Sequence, residues 1–327
     1  MTSDPRPSPV RLAQLPTPLE LMDRFSDWLG GPRVLVKRDD LTGLALGGNK
    51  ARKLEHLCAE ALALGCDTLV TGGGHQSNHV RMTAAAANRL GLDCHLAIAG
   101  TEPSTYSGNL VLDRVLGATL HFTGVEGYYA SEAEIEALAA RVATEGRRPF
   151  AIPIGGASVT GAAAYVAATE ELRSQLDARD ERVDWVVVAD GSGGTHAGLL
   201  AGLAGRAQVL GVDVGTRPDL DDVVAALASE VRTRTGAPGD PGETIVDHDH
   251  FGEGYGVPTT DAVDAIRRVA RLEGIVLDPV YTGKAMAALV SAARARRIAA
   301  DETVVFWHTG GAVALFARRY ADLFAEP

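Results

Sequence analysis

Gly47-Gly48-Asn49-Lys50-Ala51-Arg52-Lys53-Leu54-Glu55 follows an apolar run, Val34-Leu35-Val36, that reads as a buried strand. It opens directly into a helical pattern that sets Leu54, Leu57, Cys58, Ala61 and Leu62 on one face. Strand, glycine turn and helix in that order form the unit from which parallel α/β sheets are assembled. The turn also carries a lysine to a helix start, where backbone amides and positive charge accumulate. Burial and the neighbouring Lys53 would lower the proton affinity of Lys50 and free its amine as a nucleophile. An exposed helix-entry lysine is the plainer reading of the same residue.

Outward from that stretch the unit recurs. Segments 67–70, 94–98, 120–122 and 150–154 read as strands, with helices expected over 78–90, 107–116 and 131–145, the last capped by Ser131. The second half repeats it, with strands at 184–189, 208–214 and 303–307 and helices at 161–176, 219–234, 261–272, 284–297 and 312–323. Residues 1–30 read as an arm with a short helical piece at 19–29, and 236–243 (GAPGDPGE) as a loop. The unbroken run DWVVVA at 184–189 marks a strand buried on both faces. The expectation is an α/β protein with two mainly parallel sheets.

Composition narrows the function. A net charge of −11 over 327 residues argues against nucleic acid or an anionic membrane as partner, and 5% aromatic residues leave little for base stacking. No run of about 18 apolar residues predicts a membrane-spanning helix. Three cysteines, Cys58, Cys66 and Cys94, read as reduced, buried thiols of a cytoplasmic protein. Asp247-His248-Asp249-His250 invites a metal reading, but adjacent residues do not converge on one ion, so a solvated acidic turn and no metal are expected.

Two further glycine turns lie where parallel strands meet helices, the place where open α/β sheets bind ligands. Thr71-Gly72-Gly73-Gly74-His75-Gln76-Ser77-Asn78-His79 presents Ser77 at a positive helix end, as a cap or as a ligand group. Asp190-Gly191-Ser192-Gly193-Gly194-Thr195-His196 lacks the Gly-Lys-Ser/Thr of a nucleotide phosphate loop and fits a dinucleotide fingerprint poorly. A single phosphate monoester suits it better. Tyr255 and Tyr281 sit beside glycine and proline in turns that a ligand could reach. No nucleophile elbow of the G-x-S-x-G type is present.

A lysine nucleophile, a one-phosphate cradle and turn tyrosines together suggest pyridoxal 5′-phosphate. GGNKARKLE, GGHQSNHVR, GSGGTHAGL, EGYGVP, RLEGIVLDPVYTGKAM and HTGGAVALFA resemble, in order, the motifs of the D-cysteine desulfhydrase and 1-aminocyclopropane-1-carboxylate deaminase family. The resemblance runs from about Leu15 to Ala317. It implies a tryptophan-synthase-β-like fold: two three-layer αβα domains, with the cofactor in the cleft between them. A small domain of residues 51–157 would be inserted into a large one of residues 1–50 and 158–327. Lys50 would form the Schiff base and later act as the base at the substrate Cα, with Lys53 a supporting charge near the phosphate. Asn78 would meet the cofactor 3′-hydroxyl. Ser192, Gly193, Gly194 and Thr195 would hold the phosphate. Ser77 with Gln76 would bind the substrate carboxylate, Tyr255 and Tyr281 would cover the substrate, and a homodimer is implied.

The same resemblance offers a contrast within the family. The deaminase looks to have glutamate after the second tyrosine and leucine inside the HxGG turn; this chain has Thr282 and Thr309, as the desulfhydrase does. A carboxylate facing the pyridine nitrogen strengthens the ring as an electron sink, and a neutral hydroxyl does not. Elimination of a good leaving group at Cβ is therefore expected, from D-cysteine or a similar amino acid. Cysteate lyase, cyclopropane-carboxylate deaminase and a non-catalytic small-ligand binder are the alternatives. The pattern departs at Gly74-His75 and in the short connection 100–107, and His75 could meet a substrate sulfonate.

Overall fold

The computed structural model describes residues 7–127 and 132–325. Its elements run β1 (Leu19–Leu21), α1 (Asp23–Leu29), β2 (Arg33–Lys37), α2 (Lys50–Ala63), β3 (Thr68–Gly73), α3 (Asn78–Leu90) and β4 (Asp93–Ile98). There follow α4 (Asn109–Val115), β5 (Thr119–Phe122), α5 (Glu132–Thr144), β6 (Pro149–Ala151), α6 (Val159–Asp177), β7 (Trp185–Asp190) and α7 (Gly194–Leu203). The chain continues with β8 (Gln208–Asp213), α8 (Leu220–Thr235), β9 (Ile245–Asp247), α9 (Thr260–Glu273), α10 (Thr282–Arg294) and β10 (Thr303–Trp307).

Two sheets result, as the alternation predicts. One orders its six strands β1-β2-β10-β7-β8-β9, the other its four β5-β4-β3-β6. Only β1 runs antiparallel, and Val305 pairs with Leu35 on one side and Val186 on the other. The continuous apolar runs are explained by burial on both faces. Val34, Val36, Val187, Val304 and Phe306 pack toward α1, α9 and α10, while Leu35, Val186, Val188, Val305 and Trp307 pack toward α6 and α7. In the smaller sheet Leu69 and Leu96 face one core and Val70 and Ala97 another.

Two glycines let α6 and α7 approach closely. A Cβ on Gly198 would lie 2.2 Å from the Ala162 carbonyl oxygen, and one on Gly202 would lie 2.2 Å from Thr169 Oγ1. Any side chain there would part the helices.

Several boundaries differ from expectation. The helical piece expected at 19–29 begins as β1, whose backbone pairs with β2, and turns helical only at Asp23. The closing helix expected at 312–323 is instead two 3₁₀ segments, Ala312–Phe316 and Arg318–Phe324. They break at Ala317, which is extended (φ −75°, ψ 135°) and buried against Val280 and Tyr320. The acidic turn at 247–250 begins inside β9: Asp247 is buried and accepts hydrogen bonds from His250 (2.6 Å) and Arg297 (3.1 Å). Helix α10 spans Thr282–Arg294 rather than 284–297. Leu62 is exposed, and Cys66 is only half-buried while Cys58 and Cys94 are buried. The expected cap Ser131 lies outside the described residues. Among those described, no helix is long and apolar enough to cross a membrane, and no group of three metal-ligating side chains occurs.

Candidate active site

The loop before α2 is fixed by its glycines. Gly47 has φ +75°, and a Cβ there would fall 1.8 Å from the Asp40 carbonyl oxygen. The Gly48 amide donates to Thr42 Oγ1 (2.8 Å) and the Asn49 amide to the Thr309 carbonyl (3.0 Å). Lys50 therefore starts α2 in a set position, half-buried, with Nζ donating to Asn49 Oδ1 at 3.0 Å.

Beneath it lies a buried polar hub. Asp39 has no exposed surface and accepts from Arg52 (Nε 3.0 Å, Nη2 2.9 Å), Thr17 Oγ1 (3.0 Å), Tyr165 OH (2.8 Å) and Trp307 Nε1 (2.8 Å). Arg52 also reaches Glu171, which in turn takes Lys37. These links tie α2 to β2, β10 and α6, so the lysine rests on a rigid floor.

One cleft collects much of the rest. It is lined by Asn49, Lys50, Ser77, Asn78, His79, Ala189, Asp190, Gly191, Ser192, Thr195, Tyr281 and Thr309. Four helix starts border it, those of α2, α3, α7 and α10; the amides of Tyr281, Thr282 and Gly283 at the α10 start are taken by Asp278. Ser77 caps α3 by accepting from the Val80 amide (3.3 Å). Asn78 Oδ1 is held by Arg81 (3.1 Å) and Asn109 (3.2 Å), and the buried Arg81 also grips the Gly47 carbonyl (2.9 Å). Thr195 Oγ1 accepts from Asn49 Nδ2 (3.0 Å), which links the α7 start to the lysine loop.

Charge in the cleft follows from dryness. Burial lowers the Lys50 ammonium to about 8, opposed by the Asp190 carboxylate. Burial, then the nearby Lys50, pushes Lys53 well down, and Asp190 again opposes. His79 is held well below its ordinary range by burial and both lysines. The Thr71 hydroxyl donates to the Ile152 carbonyl (2.8 Å), so His79 Nε2, 3.0 Å away, is the donor to Thr71. His79 is thus a neutral imidazole.

An outer cavity of ≈ 760 Å³ includes His75, Gln76, Tyr255 and Arg319 in its lining. Tyr255 and Tyr281 join the two spaces through hydroxyls 2.5 Å apart, and burial raises the Tyr255 phenol. Gln76 Nε2 donates to the Ser107 carbonyl (3.0 Å) and Oε1 accepts from the Asn109 amide (2.9 Å), so its side chain braces the start of α4. His75 meets Phe122 edge-on at 5.9 Å.

Thus Lys50, Ser77, Asn78, Ser192, Thr195, Tyr281 and Thr309 share the inner cleft, while His75, Gln76 and Tyr255 line the outer cavity. Lys53, Gly193, Gly194 and Thr282 are not among the lining residues of either. Lys53 is fully buried behind α7 and donates to the Gly155 carbonyl (3.1 Å). A Cβ on Gly194 would lie 2.7 Å from its Nζ and 3.1 Å from the Ala157 Cα, so a side chain there would crowd both. The Gly193 amide already donates to Asp190 (2.9 Å), and the buried Thr282 hydroxyl donates to Asp278 (2.6 Å). Asn49, His79 and Asp190 escaped the sequence reading. The signal for Asp190 was its place at the carboxyl end of a buried parallel strand, where ligand groups gather.

The comparisons with known proteins agree with this geometry. The family profile described as "Pyridoxal-phosphate dependent enzyme" matches residues 10–310. A crystal structure described as an ACC deaminase homologue superposes with TM-score 0.89 at 37% identity, covering 98% of this chain and 96% of that one. Processed threonine deaminase isoform 2 from Solanum lycopersicum has the same fold, with TM-score 0.64 at 18% identity, covering 94% of this chain and 83% of that one.

The residues present fit such a cofactor. A glycine-opened helix start with hydroxyls at Ser192 and Thr195 suits a phosphate. The depressed amine of Lys50 on the same cleft suits an aldehyde.

Proposed function

The chain belongs to the pyridoxal-phosphate dependent enzymes, and from that premise we propose that it is a carbon–sulfur lyase releasing sulfide, pyruvate and ammonia from D-cysteine or a similar β-substituted amino acid. Pyridoxal 5′-phosphate is its cofactor and, when bound, supplies an electron sink for charge developing at the substrate Cα.

Lys50 would hold the aldehyde carbon, and Ser192 and Thr195 with the amides of the α7 start would hold the phosphate. Asn78, fixed by Arg81 and Asn109, would orient the ring. Ser77, at the first turn of α3, offers a hydroxyl and a positive helix end to the substrate carboxylate. Once the incoming substrate amine has displaced it from the aldehyde carbon, the Lys50 amine would take the Cα proton, and the carbon–sulfur bond would break with its electron pair leaving on sulfur. The Tyr255–Tyr281 pair, at the junction of the inner cleft and outer cavity, would meet the departing group and could pass it a proton. The enamine product takes up water and yields pyruvate and ammonia.

The observation that carries the choice of elimination is the pair of threonines. The Thr282 hydroxyl and the first amides of α10 take up the Asp278 carboxylate, and Thr309 rather than an acid lines the cleft beside them. A weaker sink suits a good leaving group better than the opening of a cyclopropane ring, the substrate suggested by the name of the 37%-identical homologue. A second reading, elimination of sulfite from cysteate, is favoured by Arg319 and His75 in the outer cavity.

The test is a screen for keto-acid release with D-cysteine, L-cysteine, cysteate, β-chloro-D-alanine and the cyclopropane substrate, with sulfide and sulfite measured separately. Pyruvate with sulfide from D-cysteine is expected; 2-oxobutyrate from the cyclopropane acid alone would overturn the proposal. Borohydride should fix the cofactor on Lys50, and a tag on Lys53 would displace that assignment. The same reading carries a homodimer, which a monomeric mass by light scattering would refute.

A further inference from the structure

Asp190 is the one carboxylate lining the inner cleft among the described residues. It closes β7, is 2% exposed, and has both oxygens held: Oδ1 by the Gly193 amide (2.9 Å), Oδ2 by His196 Nδ1 (2.8 Å). His196 is fully buried and its Nε2 has no partner among the described residues. A carboxylate oxygen only accepts, so the Nδ1 atom carries the proton.

A third segment makes room for this pair. Gly211 lies on β8 in register with Val188, in the middle of the run Val-Leu-Gly-Val. A Cβ there would fall 2.2 Å from His196 Nδ1 and 3.1 Å from Asp190 Oδ2. A buried strand interior normally disfavours glycine, so a glycine here marks a close approach that the pair requires. The α7 start, the α7 helix and β8 all converge to aim one acid group. The titratable groups around it are Asp213, in register with it on β8 and held by the Gly215 amide and His248, Lys50 and Lys53 from α2, and His196 from α7. His79 from α3 faces the two lysines.

We infer that Asp190, aimed by His196 and the Gly193 amide, is the counter-charge of the Lys50 nitrogen and sets how readily that nitrogen carries a proton. The inference rests on the reading that Lys50 holds the cofactor and serves as the base. When the amine takes the Cα proton, the C–H electron pair stays on carbon and the nitrogen becomes an ammonium. That ammonium needs a nearby negative charge in a dry cleft, and later returns its proton. Asp190 thus acts through Lys50 and is a positioning residue.

The test measures the Lys50 titration directly, by competitive acetylation of the full-length chain freed of cofactor, with mass-spectrometric readout of the Lys50 peptide across pH. The pH midpoint of the cofactor-loaded protein's absorbance is followed in parallel. Wild type should show a midpoint at about 8. Asp190→Asn should lower it by about one unit, the low end of the effect of one opposite charge at close range. His196→Ala, which keeps the carboxylate but removes one of its two donors, should shift it the same way by less, and decides the question if the first variant does not fold. Midpoints unchanged from wild type would overturn the inference. A borohydride tag absent from Lys50 would instead sink the cofactor assignment, and the acetylation result would still stand.

Discussion

Asp39→Asn is the sharpest perturbation available, because every neighbour of that carboxylate is a donor. Arg52, Thr17, Tyr165 and Trp307 all point hydrogens at its two oxygens, and none of its surface meets water. An amide in the same place keeps one acceptor and turns an NH₂ toward donors, whichever way it flips. Removing one partner of a buried ion pair costs about 3–5 kcal/mol. Glu171, still 2.9 Å from Arg52, recovers part of that, so a loss of about 3 kcal/mol is expected. At roughly 2 °C per kcal/mol for a chain of this size, the melting midpoint should fall about 6 °C. Asp40→Asn is the control: it and Arg38 are each partly exposed and Arg38 keeps Glu20 as a partner, so a loss of only about 1 kcal/mol is expected. Scanning calorimetry on the two variants decides the matter. If their midpoints agree within a degree, the hub does not support the loop as argued. The pH dependence carries a sign. Despite its burial, the ion pair with Arg52 and the donors around it hold the folded Asp39 acid below its ordinary range. The carboxylate therefore contributes stability above the unfolded value near about 4 and loses it as pH falls through the lower folded value. Wild type should lose stability on acidification in that window, and Asp39→Asn should lose less.

Other substitutions probe other links. Gly198→Ala sets a methyl 2.2 Å from a helix carbonyl that cannot swing away, so α6 and α7 must part at a cost of about 3 kcal/mol in urea unfolding; a change under about 0.5 kcal/mol would refute the close approach. Lys284 is buried and donates to the Phe251 (2.8 Å) and Gly254 (3.0 Å) carbonyls, pinning the loop that carries Tyr255. Lys284→Met should leave those carbonyls unpaired and weaken hydrogen-exchange protection around 252–256 by tenfold or more, about 1–3 kcal/mol; unchanged protection would show that the loop stands without it. Tyr281→Phe removes the hydroxyl partner of Tyr255 and should cut kcat about a hundredfold while leaving the melting midpoint nearly unchanged. Equal losses in both would make the pair structural instead.

Local signals were legible where one element's own residues decide its form. The alanine-rich stretch at 78–90 is α3 as expected, with Ser77 capping it, and 303–307 is β10. The closing segment failed because its helical composition is overridden at Ala317 by tertiary packing against Val280 and Tyr320. The charged interior was illegible for a different reason. Arg52, Lys53, Arg81 and Lys284 are all buried, against the usual fate of such residues. Decisive partners stand far off in sequence, as Glu171 does from Arg52 and Gly155 from Lys53. No periodicity reports a contact across a hundred residues. The glycine turns were read correctly as turns, yet which amides they leave free depends on side chains such as Asp190 that only the folded chain brings alongside.

An acidic chain that binds an anionic cofactor has to separate two electrostatic regimes. At −11 overall, the surface repels a phosphate weakly and through screened water, over distances where salt damps the effect. Inside the cleft the balance reverses, because the helix starts of α3 and α7 and Lys50, with Lys53 buried close by, act at short range in a drier medium. Left uncompensated, that concentration of positive charge would cost several kcal/mol per group. The chain answers in two ways. Arg52, whose charge is permanent, is matched outright by Asp39 and Glu171. Lys50 and Lys53, whose charge is negotiable, are instead left with a depressed proton affinity and only a partial counter-charge from Asp190. The group that must stay fixed is neutralised by the fold, and the amine that must exchange a proton, Lys50, is left for the ligand to complete, while Lys53 is tied to the Gly155 carbonyl. That division accounts for lysine rather than arginine at 50, since only an amine that can shed its proton here can serve as a nucleophile and then as a base.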